Sequence, residues 1–344
     1  MQTLQAGNDE LSRLERVAHN RTGLWASIAF ELFGLLLFVA IFNFLLPNLG
    51  DNLAGVGLIL LGLIFSLVPA ALWLIFFYRM DRLEPEPKRM VFNVFLIALL
   101  VAGALHGPIL QGVFGVDRWL YSSWWAHLFG GILVVAVVEQ FMIYGTVRFS
   151  VFDHPEFDER VDGVIYAVAA GLGLATVLNF SYVLAHGGVD LDIGSIRMVV
   201  NALAYASFAG ILGYFIGQSR FEKVPFYYLP MGFTLAAALH GLFFFLLERS
   251  AGNSLHYNPW GDLIFAAIVA GVTLAVVFWL VARANEETLR LAHMSAQAHT
   301  PDTDPNAAQT VDPNTGIVPG TAPSPQPAAG VDDPDDGTSE EVTQ

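Results

Sequence analysis

Cysteine is absent from this 344-residue chain, which excludes a disulfide framework, a thiolate metal site and a cysteine nucleophile. Charge is scarce as well. Only 14% of the residues are Asp, Glu, Lys or Arg, against about 25% in a soluble domain. That is too little charge to coat a water-facing surface and argues against an ordinary soluble enzyme. The basic residues are few and scattered, with no patch or stripe, so nucleic acid is not an expected partner. Apolar residues are in excess: 55% of the chain is hydrophobic, and the mean hydropathy is +0.55.

The net charge of −15 is unevenly placed. From Glu286 to Gln344 there are 11 acidic residues, one basic residue and eight of the 17 prolines. This stretch has almost no large apolar side chains. It cannot bury enough surface to offset the entropy of ordering, so residues 285–344 are expected to form an acidic, disordered tail, with the last apolar helix continuing from Val281 to Met294 before it frays. Residues 1–24 are polar, and no short apolar segment with a small-residue cleavage site follows them, so no secretory signal peptide is expected.

Between these ends lie eight apolar stretches, near 25–46, 55–78, 91–114, 124–147, 163–185, 195–217, 226–247 and 262–282. Each is long enough to cross about 30 Å of hydrocarbon as a helix of about 20 residues. The expected fold is therefore all-α, a polytopic integral membrane protein with a domain over 25–284 and the lipid bilayer as its surroundings. With eight spans, 13 of the 16 Lys and Arg residues fall on one side, and Arg118, Arg197 and Arg249 on the other. Basic loops stay cytoplasmic, so the expectation is a plasma (inner) membrane protein with both termini in the cytoplasm.

An ionisable group at membrane depth is costly and points to function. The candidates are Glu31, His106, His127, Glu139 and His240, with Gln140, Asn179, Asn201 and Tyr205 as polar neighbours. Several have a plainer reading. Glu31 is six residues into its helix and can snorkel or pair with an arginine. His127 sits beside Trp124 and Trp125 in an aromatic belt. His106 precedes Gly107-Pro108 and can cap the carbonyl that the proline leaves free. Glu139 lies far from either end of the fourth stretch and should face the bundle interior. His240 has a similar case. Measured from the helix ends at 1.5 Å per residue, Glu139, Asn179, Tyr205 and His240 fall at depths compatible with one buried layer.

Two segments carry a family likeness. Tyr78-Arg-Met-Asp-Arg-Leu-Glu-Pro-Glu-Pro87 resembles the Asp…Glu-Pro-Glu-Pro signature of PrsW-type intramembrane proteases. Asp162-Gly-Val-Ile-Tyr166, then Gly171-Leu-Gly-Leu-Ala-Thr-Val-Leu-Asn179, resembles the family's next core helix, and Gly210–Gly217 and His240-Gly241 follow in order. The resemblance covers about residues 60–247. It implies a helical bundle, related to CAAX-prenyl-type proteases, that cleaves membrane-anchored proteins such as anti-sigma factors. It further implies chemistry built on a Glu-Glu-x-x-Lys motif, a Glu-Asn on the next helix and later histidines.

The sequence departs from that pattern at most of these positions. The expected pair reads Glu139-Gln140, the lysine position is Ile143, the Glu-Asn reads Leu178-Asn179, and one histidine is Tyr205. What the resemblance carries over is Glu139 as base or metal ligand and His240 as ligand or acid. Gln140, Asn179 and Tyr205 are candidates to hold the scissile carbonyl. A divalent metal such as zinc usually has three protein ligands in a catalytic site, so His106 would have to join Glu139 and His240. Three readings stand: a protease acting on a single-span membrane protein, an inactive relative (a pseudoprotease) that binds such proteins, and a proton-coupled transporter.

Overall fold

The structure is a computed structural model and describes residues 21–45, 55–80, 85–185, 191–250 and 259–298. Among them are ten α-helices, three short π-helical segments and no strand. The helices are α1 (Arg21–Ala40), α2 (Val56–Met80), α3 (Lys88–Gly107), α4 (Val116–Trp119) and α5 (Trp124–Gly130). After them come α6 (Val137–Ser150), α7 (Asp162–Ala185), α8 (Leu191–Phe221), α9 (Tyr228–Ser250) and α10 (Pro259–Ala298). π-Helical turns extend α1 over Ile41–Leu45 and α3 over Pro108–Val113, and join α5 to α6 over Gly131–Ala136.

Seven helices among the described residues are long and apolar enough to cross a membrane, so the protein is an all-α, multi-pass membrane protein. The sequence leads one to expect eight. The eighth expected span, 25–46, is helical from Arg21 to Leu45, and its described apolar part runs from Ile28 to Ala40. At the other end, α10 continues to Ala298, a few residues past the Met294 to which the last apolar helix is expected to run. Residues 299–344 lie outside the described residues.

Helix α7 sits at the centre, packed against α2, α3, α6 and α8, and its residues are almost all buried. Its small residues explain how it fits there. A Cβ on Gly163 would come within 2.6 Å of the Gly217 nitrogen on α8, and one on Gly213 within 2.7 Å of the Ala167 Cβ. On Gly171 it would meet the Tyr205 carbonyl oxygen at 2.7 Å. Helices in lipid gain no hydrophobic drive from one another, so close backbone approach through small residues supplies the attraction.

The Glu-Pro-Glu-Pro loop is fastened to this seam. The Tyr166 hydroxyl donates to the Glu86 carboxylate, and the Tyr78 hydroxyl donates to the Glu86 carbonyl at 3.0 Å. Asp162 faces Glu86 and accepts from the Glu159 backbone at 2.7 Å. Burial pushes the Glu86 carboxyl above its ordinary value. On the outer surface of the bundle, α3 and α6 flank an apolar groove of about 660 Å³ lined by Ile97, Val101, Val138, Phe141 and Phe149.

Candidate active site

Four helices bring the polar side chains together. α3 supplies His106, α6 supplies Glu139 and Gln140, α8 supplies Tyr205, and α9 supplies His240. Two π-helical turns adjoin them, one beginning two residues after His106 and the other ending three residues before Glu139. Such turns rotate the face a helix presents and recur at functional sites. Ser123 starts the second segment by accepting from the Ala126 nitrogen at 3.1 Å, an N-cap. Gly115 makes the turn before α4 at φ 56°, a conformation that glycine adopts without steric cost.

Glu139 is the hub and is 2% exposed. Its Oε1 lies 2.8 Å from His106 Nε2. Its Oε2 accepts from the Tyr205 hydroxyl at 2.8 Å and lies 3.0 Å from His240 Nε2. A buried carboxylate is tolerable when it is paired and hydrogen-bonded: His106 and Tyr205 hydrogen-bond Glu139, and His240 lies within ion-pair distance. His106 therefore spends its ring nitrogen on Glu139 rather than on the carbonyl freed by Pro108.

The remaining candidates lie around this hub. The Gln140 side-chain amide is 3.1 Å from His240 Nδ1 and is fully buried, so it faces His240 rather than a bound peptide. Asn179 donates to the Met198 carbonyl at 3.2 Å and accepts from Asn201 at 2.7 Å. The outlying candidates do not join the cluster. His127 packs among Tyr121, Phe244 and Phe245. Glu31 is buried, with no hydrogen-bond partner for either oxygen among the described residues.

A cavity of about 310 Å³ reaches the hub, lined by His106, Glu139, Asn179, Asn201 and Tyr205 at one end. Towards the helix ends it is lined by Asp117, Tyr121, Arg197 and Glu248. Arg197, which the sequence offers only as a topological charge, donates to Glu248 Oε1 and the Leu247 carbonyl, each at 2.8 Å. Its guanidinium lies 4.4 Å from the centre of the Tyr182 ring. Tyr121 donates to Glu248 at 3.5 Å, and burial and that carboxylate push its hydroxyl pKa up. Four ionisable or phenolic groups on one wall were the missed signal: each lies in or beside an apolar stretch, yet none is deep enough in its helix to stand out. His240 and Gln140 lie behind Glu139 and do not line the cavity.

A profile described as "PrsW family intramembrane metalloprotease" matches residues 86–282. The chain is 33% identical over 225 residues to a protein named Protease PrsW from Geobacillus kaustophilus, covering 64% of this chain and 90% of that one. The chain belongs to the PrsW family. Other PrsW proteases align with it at 26% identity in Oceanobacillus iheyensis, over 65% of this chain and 96% of the relative. The Bacillus subtilis PrsW protease is 25% identical, over 56% and 84%. No solved structure matches significantly. The PrsW match extends past the segment where the resemblance is legible by eye and takes in most of α10.

The metal named in the family description can be weighed against the donors present. Among the described residues no group of three or more His, Cys, Asp or Glu side chains is arranged to hold a metal ion. His106 Nε2 hydrogen-bonds one oxygen of Glu139 and His240 Nε2 lies against the other, so the two imidazoles address different oxygens of one carboxylate. The residues as arranged do not fit the ion.

Proposed function

We propose that this PrsW-family protein hydrolyses a peptide bond of a membrane-anchored protein, with Glu139 as general base. One observation carries the reading: Glu139 and His106, joined at 2.8 Å, border a cavity of mixed lining that extends to Asp117, Tyr121 and Glu248. In the proposed reaction, water attacks the scissile carbonyl carbon as Glu139 accepts its proton. The carbonyl π pair moves to oxygen, and the proton then passes to the amide nitrogen as the C–N bond breaks. Base catalysis of this kind contributes about 10²–10⁴-fold. Asn179 and Asn201 each keep one amide N–H beyond the bonds described, and an amide donor stabilises an oxyanion. Tyr205 and His240 are positioning residues that fix the carboxylate.

The anchored partner reaches the cavity from the side where Asp117, Tyr121 and Glu248 lie, which the distribution of Lys and Arg makes the outer face of the plasma membrane. The chain's lack of cysteine makes this directly measurable. A single Cys at Ser122 is expected to react with an impermeant maleimide added outside intact cells, and one at His154 only after permeabilisation. The reverse pattern would overturn the orientation.

A second reading is a protein that grips such a segment without cutting it. It is favoured by the saturation of Glu139 Oε2 by two partners, Tyr205 and His240, and by Leu178 beside Asn179, a residue that can neither move a proton nor bind a metal. Cleavage of a tagged single-span substrate in liposomes separates the two. Loss of at least 100-fold in Glu139→Ala supports hydrolysis, and equal cleavage by both proteins rules out Glu139 as base. No cleavage by either, with retained co-purification of the substrate, supports the binder.

A further inference from the structure

We propose that Gln140 holds the His240 imidazole as its Nε2–H tautomer, and that this single amide makes the centre refuse a metal ion. The inference rests on geometry and stands whether or not the protein cleaves its partner. The Gln140 Nε2 atom is 3.1 Å from His240 Nδ1. An amide nitrogen donates and cannot accept, so Nδ1 is the accepting nitrogen and the ring proton sits on Nε2. That nitrogen lies 3.0 Å from Glu139 Oε2 without the alignment of a hydrogen bond, and a bare lone pair facing a carboxylate at that distance would be repelled. Both sides of the ring therefore demand the same tautomer.

Neither nitrogen of His240 is left to bind a metal: Nδ1 spends its lone pair on Gln140, and Nε2 carries the proton. The ring has no freedom to exchange the two. It is 1% exposed, stacked on Phe208 with centroids 5.2 Å apart and held edge-on by Tyr205 at 4.4 Å. A metal-binding histidine has the opposite wiring, with its distal N–H donated to a carboxylate or carbonyl so that the near nitrogen is bare. A carboxylate at position 140 would provide that wiring. It would draw the proton to Nδ1 and expose the Nε2 lone pair beside Glu139 and His106, giving three donors from three helices.

Two measurements on the full-length protein in nanodiscs test this. Histidine 15N NMR of the wild type, with the His240 signals assigned by their loss in His240→Ala, is expected to show a protonated Nε2 and a bare Nδ1. A protonated Nδ1 overturns the proposal. Equilibrium dialysis against zinc is expected to give the wild type no binding that His240→Ala removes. Gln140→Glu is expected to gain one zinc per chain, at least about 10-fold tighter than the wild type, and to lose it again when His240→Ala is added. Equal His240-dependent zinc binding by wild type and Gln140→Glu overturns the proposal. The NMR arm uses no substitution at Gln140 and decides the tautomer even where Gln140→Glu fails to fold.

Discussion

His106 and Glu139 are separated by 32 residues of chain, yet their side chains meet at 2.8 Å across the contact between α3 and α6. The pairing turns a residue that reads as a cap beside a proline into a partner of the central carboxylate. It also brings α3 to a site that the family likeness builds from α6, α7, α8 and α9. His106 is the more exposed partner, at 23% against 2% for Glu139, so this edge of the pair is the one that opens on the cavity.

His106→Ala should therefore cost both stability and turnover. Removing the imidazole leaves Glu139 Oε1 buried without its donor, a penalty of about 1–3 kcal/mol. Thermal unfolding in detergent is expected to show a lowered Tm, and His106→Gln, whose amide can donate, is expected to recover part of it. Cleavage in liposomes is expected to fall in the same order. A His106→Ala protein as stable as the wild type would show that the contact contributes nothing.

Gly213→Ala is expected to destabilise the bundle by about 1–3 kcal/mol, the usual cost of overpacking. Its new methyl would come within 2.7 Å of the Ala167 Cβ, and the surrounding backbone cannot yield. Gly103→Ala supplies the contrast. Nothing lies within 4 Å of a Cβ at that helical position, so the gain in helix propensity, about 1 kcal/mol, has no steric term against it. Denaturation of the two variants side by side should shift in opposite directions.

Stability should also depend on Glu86. Burial raises its carboxyl pKa above the ordinary 4.5, so the folded protein keeps a proton that the unfolded chain releases. That contribution is fully present below 4.5 and is lost as pH rises through the raised value. Glu86→Gln mimics the protonated acid and keeps an acceptor for Tyr166. Its melting temperature is expected to be less sensitive to alkali than that of the wild type, whereas identical pH profiles would remove Glu86 from the account.

Much of the fold was legible because apolar helices declare themselves by length. The stretch at 25–46 was legible in the same way, and it is helical from Arg21 to Leu45. Glu139, Tyr205 and His240 were legible as polar groups where lipid tolerates none, and rough depths already allowed them one layer. Which atoms meet was not. The pairing of His106 with Glu139 depends on how α3 and α6 cross, and the bond from Gln140 to Nδ1 of His240 depends on the rotamer of a residue one position along from Glu139. The role of Glu86 was hidden for a similar reason: its motif was visible in the sequence, but its partner Tyr166 lies 80 residues away.

The glycine seam between α7 and α8 has one more consequence. Helices in contact at backbone distance have no side-chain slack with which to part, so Tyr205 and the two asparagines that border the cavity belong to a fixed wall. A peptide admitted to Glu139 must displace something else. The side chains left to yield are those at the cavity's other end, Tyr121 and Glu248 among them, the side from which the proposed partner enters.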